Sequence, residues 1–206
     1  MANTTVAVTP GSGASIAVYN DATPQSFQRV LAAPEGSQAT TYFASYTGQS
    51  IGTGATTNII TFAGSATKTV QVSRILLSAT ATTAASYFDV LLKRQTTADT
   101  GGTAATAATI LKAQVADATA TAAAPIFYTA GPTAGTVTGT QLAVKLFAPI
   151  TGTPAPVVPV ELLGNPGRMA KPITLSGITD VLAITVNAVT PANATSWDVH
   201  LEWIEF

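Results

Sequence analysis

From Trp197 to Trp203 large apolar and polar residues alternate without a break. Trp197, Val199, Leu201 and Trp203 fall on one side, and Asp198, His200 and Glu202 on the other. Successive side chains of a strand point to opposite faces, so this spacing predicts a half-buried strand over residues 197–205. A helix would split the same four apolar residues between opposite sides of its surface. A strand with two tryptophans on one face must cover that face with a second layer of structure.

The same period recurs upstream. Asn58–Phe62, Val70–Leu77, Tyr87–Arg94, Gln141–Phe147 and Val181–Asn187 are short stretches rich in β-branched and aromatic residues, separated by Gly, Pro, Asn and Ser. In Val181–Asn187 one face carries Val181, Ala183 and Thr185 and the other Leu182, Ile184 and Val186. Residues 70–77 and 87–94, joined by nine residues of small side chains, are expected to pair as an antiparallel hairpin. Helix signals are weak. Residues 104–115 contain Ala but no amphipathic stripe, and residues 116–124 run into Pro125, so both are read as loop with at most one short helix. Several short strands with turn residues between them predict an all-β fold, an antiparallel β-sandwich of jelly-roll-like form.

The first quarter of the chain reads differently. Thr5–Thr9 and Ser15–Tyr19 flank Pro10-Gly11-Ser12-Gly13, a small hairpin in outline, and Ala33-Pro34-Glu35-Gly36-Ser37 marks a break after Phe27–Leu31. With little apolar material there, residues 1–54 are expected to form an extended N-terminal arm that attaches to something else, and residues 55–206 the sandwich core. Pro154, Pro156, Pro159, Pro166 and Pro172 predict an extended, irregular connection over residues 151–172.

Composition narrows the chemistry. Only 9% of residues are charged, against roughly 25% in an average soluble domain, while Ala and Thr together make up 74 of the 206 residues. The net charge is −1 and the nine cations are scattered, apart from Lys93-Arg94, so there is no basic stripe for a nucleic-acid backbone. The absence of Cys excludes thiolate catalysis, disulfides and Cys-ligated zinc. No apolar run approaches the ~20 residues of a spanning helix, and the N-terminus lacks the basic and apolar regions of a secretion signal. No membrane partner is expected, and synthesis in the cytoplasm is.

Every His-dependent chemistry must use His200, the single histidine. Asp198 and Glu202 share its strand face at ~7 Å spacing, a polar outer face that would need ligands from other strands to close around a metal. No Gly-x-Ser-x-Gly elbow, dinucleotide loop or phosphate loop occurs: Gly11-Ser12-Gly13 sits in a turn, and Pro166 interrupts Gly164–Arg168. Asn3-Thr4-Thr5 and Asn193-Ala194-Thr195 match a glycosylation triplet by chance in a Thr-rich chain. No catalytic, cofactor-binding or metal-ligating residue is assigned, no cofactor is expected, and the chain is read as not an enzyme. Trp197 and Trp203 are expected in the core rather than on a sugar-stacking platform.

Two stretches carry a resemblance. Thr5-Val6-Ala7-Val8-Thr9-Pro10-Gly11-Ser12-Gly13 followed by Phe27-Gln28-Arg29-Val30 looks like the opening of many tailed-bacteriophage structural proteins. Asp89–Arg94 with Thr100-Gly101-Gly102-Thr103, and the ending Glu202-Trp203-Ile204-Glu205, resemble a group of small phage virion proteins. The resemblance implies a virion structural protein, foremost a decoration or cement protein on the capsid, with collar, tail or fibre component as the alternative. It implies phage shell proteins as partners, location in the virion and self-association as a homo-oligomer, for instance a trimer. It carries over no functional residue. A carbohydrate- or receptor-binding module is the reading from a different class.

Overall fold

A computed structural model of the chain describes residues 39–51, 57–152, 156–163, 172–188 and 195–206. Among them, hydrogen bonds between backbone segments define β1 (Thr40–Ile51), β2 (Thr57–Ala63), β3 (Thr69–Ala81), β4 (Ser86–Gln95), β5 (Thr103–Ala104) and β6 (Leu111–Lys112). The series continues with β7 (Ile126–Ala130), β8 (Val137–Ala148), β9 (Val160–Leu163), β10 (Ile173–Ser176), β11 (Val181–Ala188) and β12 (Thr195–Glu205). No helix occurs among the described residues.

The pairings between these strands are antiparallel, and they build two sheets. Sheet A runs β10-β3-β12-β1-β6, with β9 also paired to β3. Sheet B runs β5-β7-β2-β11-β4-β8. β10 pairs with residues 69–72 of β3 and β9 with residues 75–77, so these two share one edge of β3 end to end. Set aside the short strands β5, β6 and β7, and treat β9 as a companion of β10. Four strands remain in each sheet, in the orders β1-β12-β3-β10 and β2-β11-β4-β8. The chain passes between the layers at almost every step, which is the winding of a jelly roll. The expected all-β sandwich is the fold found.

β12 shows why these residues choose this arrangement. Trp197, Val199, Leu201 and Trp203 are buried, and the indole of Trp203 packs 4.8 Å from the ring of Phe62 and 5.8 Å from that of Tyr42. Phe88 meets Trp197 edge-on at 5.3 Å. Phe62 and Phe88 belong to sheet B, so each tryptophan is an inter-sheet contact. Both indole N–H groups find acceptors, Thr195 Oγ1 at 2.6 Å and Glu205 Oε1 at 3.3 Å, as buried indoles need. β3 keeps the alternation despite a bulge. Val70 and Val72 face inward, the register slips at Ser73, and Ile75, Leu77, Ala79 and Ala81 resume on the same face.

Several expectations change. Residues 70–77 and 87–94 are strands, but β3 lies in sheet A and β4 in sheet B, so they form no hairpin. The strands extend past the expected ends, and the four residues 82–85 carry the chain from one layer to the other; alternation fixes which face is buried without fixing a partner. The connection expected over residues 151–172 contains a strand, β9, directly after Pro159. Proline is tolerated there because β9 begins at an edge. Within the stretch expected as an arm, residues 1–54, residues 40–51 form β1, whose Tyr42, Ala44 and Tyr46 enter the core against β12. The hairpin expected at residues 5–19 lies outside the described residues.

Candidate functional site

The only histidine sits on the outer face of sheet A, and its surroundings are the best-organised polar group on that face. β12 presents Asp198, His200 and Glu202 outward, flanked by β1 and β3. Ser45 pairs directly with His200 on the β1 side and Leu76 on the β3 side. Ser78 pairs with Asp198. Directly paired antiparallel residues stand ~5 Å apart, so side chains far apart in sequence meet.

A bulge in β1 completes the arrangement. The β1–β12 register slips between Tyr46 and Gln49, so that Thr47 and Gly48 together stand opposite the single residue Asp198. Gly48 adopts φ +62°, a left-handed conformation that costs glycine little and other residues more. That turn aims the Gly48 N–H at Asp198 Oδ1, 2.8 Å away, while Ser78 Oγ donates to Oδ2 at 3.3 Å. Each carboxylate oxygen therefore accepts one protein hydrogen bond and keeps one lone pair for solvent or ligand. His200 Nδ1 lies 2.8 Å from Ser45 Oγ, and its ring stacks on Phe43 with centroids 6.1 Å apart.

These distances decide what the group can do. Ser45 beside His200 supplies the first contact of a nucleophile–base pair, but Asp198 is committed to Gly48 and Ser78 instead of the imidazole. Among the described residues, no carboxylate orients the ring as the third member of a triad would. Among the described residues, no three His, Asp or Glu side chains converge as metal ligands. Asp198, His200 and Glu202 stay spread along the strand, as an outer polar face would be. Asp198 and His200 border a shallow, open cleft of about 210 Å³ between β1, β12 and β3, with Pro159 and Leu76 as its apolar wall.

A second carboxylate is buried. Glu205 is fully enclosed and accepts hydrogen bonds from the Thr121 and Ala122 backbone N–H groups, Thr121 Oγ1 and the Trp203 indole, with Lys68 Nζ 4.0 Å away. Desolvation opposes its charge most strongly of any single effect. The donors from Ala122, Thr121 and Trp203 together outweigh it, and the carboxyl titrates below its ordinary value. Those bonds tie the segment 113–125 to the end of β12. Tyr42 adds a hydroxyl bond to Ala118 O at 3.0 Å, and Tyr46 one to Pro125 O. Burial pushes the Tyr42 hydroxyl up from its usual range. This is a fastening for a loop.

Trp197 and Trp203 are both completely buried, so neither forms a surface platform. An exposed aromatic pair, Tyr87 and Phe147, lies across β4 and β8 on the outer face of sheet B with rings 5.0 Å apart. Alternation placed His200, Asp198 and Glu202 on one face. It gave no sign of Ser45, Gly48 or Ser78, which only the strand order brings alongside.

No known protein family matches the chain, and neither the curated proteins nor the solved structures contain a significant match.

Proposed function

We propose that the protein is a structural component of a bacteriophage particle, foremost a decoration or cement protein bound to the capsid in many copies. The observation that carries the reading is the strand order β1-β12-β3-β10 against β2-β11-β4-β8, the jelly roll used by viral capsid and lectin domains. The step from fold to role is an analogy. The low charge and the phage-like residues at both ends of the chain support it independently.

Its work is mechanical. β8 is the last strand of sheet B, twelve residues long, and its outer edge offers backbone N–H and C=O groups to an added strand from a neighbour. Lys145 is its single charge and is paired with Asp89 at 2.7 Å, which leaves little to repel an approaching chain. Ala and Thr side chains lose little rotamer entropy at such an interface, and many weak contacts on one shell add by avidity. Self-association, as a trimer for instance, fits the same surface. A collar, tail or fibre position uses the same chemistry at a different place in the particle. No reaction and no cofactor enter this account.

The attachment segment is residues 1–38 rather than the whole stretch 1–54, because β1 is needed to cover Trp203 and to pair with β12. Deleting residues 1–38 keeps every contact described above and is expected to abolish binding to shells assembled from the accompanying capsid protein while the sandwich remains folded. Full occupancy of the shells by the shortened chain would overturn that assignment.

A further inference from the structure

We propose that the cleft on the outer face of sheet A binds a sugar ring, free or as part of a glycan chain. The inference goes beyond a role in the particle and holds wherever the protein resides.

The cleft combines one fixed charge, orientated hydroxyls and an apolar wall within the width of three strands. Asp198 is held in place by the Gly48 N–H and Ser78 Oγ, so the orientation of its two remaining lone pairs is set before any ligand arrives. The geometric effect of the bulge at Thr47–Gly48 is to direct that N–H at the carboxylate. Bulges commonly re-aim groups beside functional sites. His200 Nδ1 is engaged by Ser45, which restrains the ring where it borders the cleft. Ser45 and Thr47 are exposed and add hydroxyls that both donate and accept.

The ligand class follows from the mixture. A pyranose presents hydroxyls that need both acceptors and donors, which Asp198, His200, Ser45 and Thr47 supply. Its C–H face needs an apolar surface, which Leu76 and Pro159 supply. At about 210 Å³ the cleft is below the ~300–1,000 Å³ of sites for drug-sized ligands, and so accommodates one ring. A metal ion would find a single carboxylate with its neighbours spread along the strand. An ammonium or guanidinium would gain one exposed ion pair, which adds little, and would lose hydration against Leu76 and Pro159.

The single histidine makes the test free of background, because the protein has one imidazole ¹⁵N signature. The full-length protein would be titrated with the methyl α-glycosides of glucose, galactose and mannose, and separately with dextran, while the His200 ring nitrogens are followed by NMR. A saturable shift with at least one of the glycosides indicates recognition of a free ring. Saturation by dextran alone indicates recognition within a glycan chain. Either supports the site. Asp198→Asn is expected to weaken the response by about tenfold, the loss of one charge-assisted contact, with the melting temperature unchanged because Asp198 is exposed. Lys93→Ala, on sheet B, is expected to leave it unaltered. No saturation with any of these probes up to about 100 mM, an equal response in Asp198→Asn, or a larger saturable shift with methylammonium would each overturn the proposal. None of these outcomes bears on whether the protein belongs to a phage particle.

Discussion

β12 and the segment 113–125 touch at Glu205, yet they are held in place by different physics. β12 contributes four large side chains to the space between the sheets and pairs along almost its whole length with β1 and β3. The segment 113–125 has only two well-buried apolar residues, Ala122 and Pro125. It is held by polar groups sent from elsewhere: the Glu205 carboxylate, the Tyr42 and Tyr46 hydroxyls, and Ser65 Oγ at 2.7 Å from Thr121 Oγ1. Lys112 Nζ reaches the carbonyls of Val115 and Asp117 at 2.9 and 2.7 Å. Apolar burial is non-directional and cooperative across the core. Hydrogen bonds to one buried anion are few and local. Damage to the first should unfold the molecule, and damage to the second should free a loop.

The largest effect is expected from Trp203→Ala. It removes the ring between Phe62 and Tyr42 and opens a cavity that fixed backbone strands cannot close, at a cost of about 3–5 kcal/mol. Chemical denaturation would show one lowered, still cooperative transition. A loss below about 1 kcal/mol would mean that the sheets close over the gap, and the contrast with the loop would fail.

Glu205→Gln should cost less, about 1–3 kcal/mol, because the amide cannot accept from all the donors that the carboxylate serves. Amide exchange at Thr121 and Ala122 should accelerate while that of β12 core amides such as Val199 changes little. Uniform acceleration across both would show that the two regions unfold as one. The same carboxylate sets an acid limit. Its pKa is lowered in the folded protein, so its contribution is complete above the unfolded value of ~4.3 and is lost as pH falls through the folded value. Melting temperature should therefore fall on acidification below about pH 4 in the natural protein. The fall should be shallower in Glu205→Gln. Parallel pH profiles would remove Glu205 as the cause.

Tyr46→Phe is the mildest of the three. It deletes the hydroxyl that donates to Pro125 O and accepts from Ala108 N at 3.2 Å, and leaves the ring packed on Phe127. A loss near ~1 kcal/mol is expected, confined to protection of residues around 108 and 125. A larger effect spreading into sheet A would show that the loop supports the core.

The contrast also explains what could be read from the chain. β12, β3, β4 and β8 announce themselves because burial on one face writes a period of two. β1 carries the same pattern in Tyr42, Ala44 and Tyr46, but Phe43 on the outer face blurs it, and the surrounding small residues suggested an arm. In β11 the alternation is present yet residues 181–186 are buried on both faces. Asn58 of β2 bonds Thr185 at 2.6 Å and is itself bonded to Asp99, so the outer side is roofed by polar contacts. The wrong hairpin has the same root: a periodic pattern identifies a strand's inner face and says nothing of its neighbour. The cleft was half legible, through Asp198 and His200 on one face. Its other half depends on register, and no local signal in residues 45–48 or 78 reveals which strands lie beside β12. The anchoring of residues 113–125 leaves no periodic trace, since the bonds from Tyr42, Tyr46 and Glu205 join residues 76–84 positions apart.

The claim that this jelly roll is a building part of a phage particle has one direct measurement. Virus particles gradient-purified from a culture that produces the chain would be analysed by quantitative mass spectrometry for its ratio to the major shell protein. The account predicts many copies at a fixed ratio that survives repeated purification. Absence from the particles, or a variable trace amount that washes away, would contradict it.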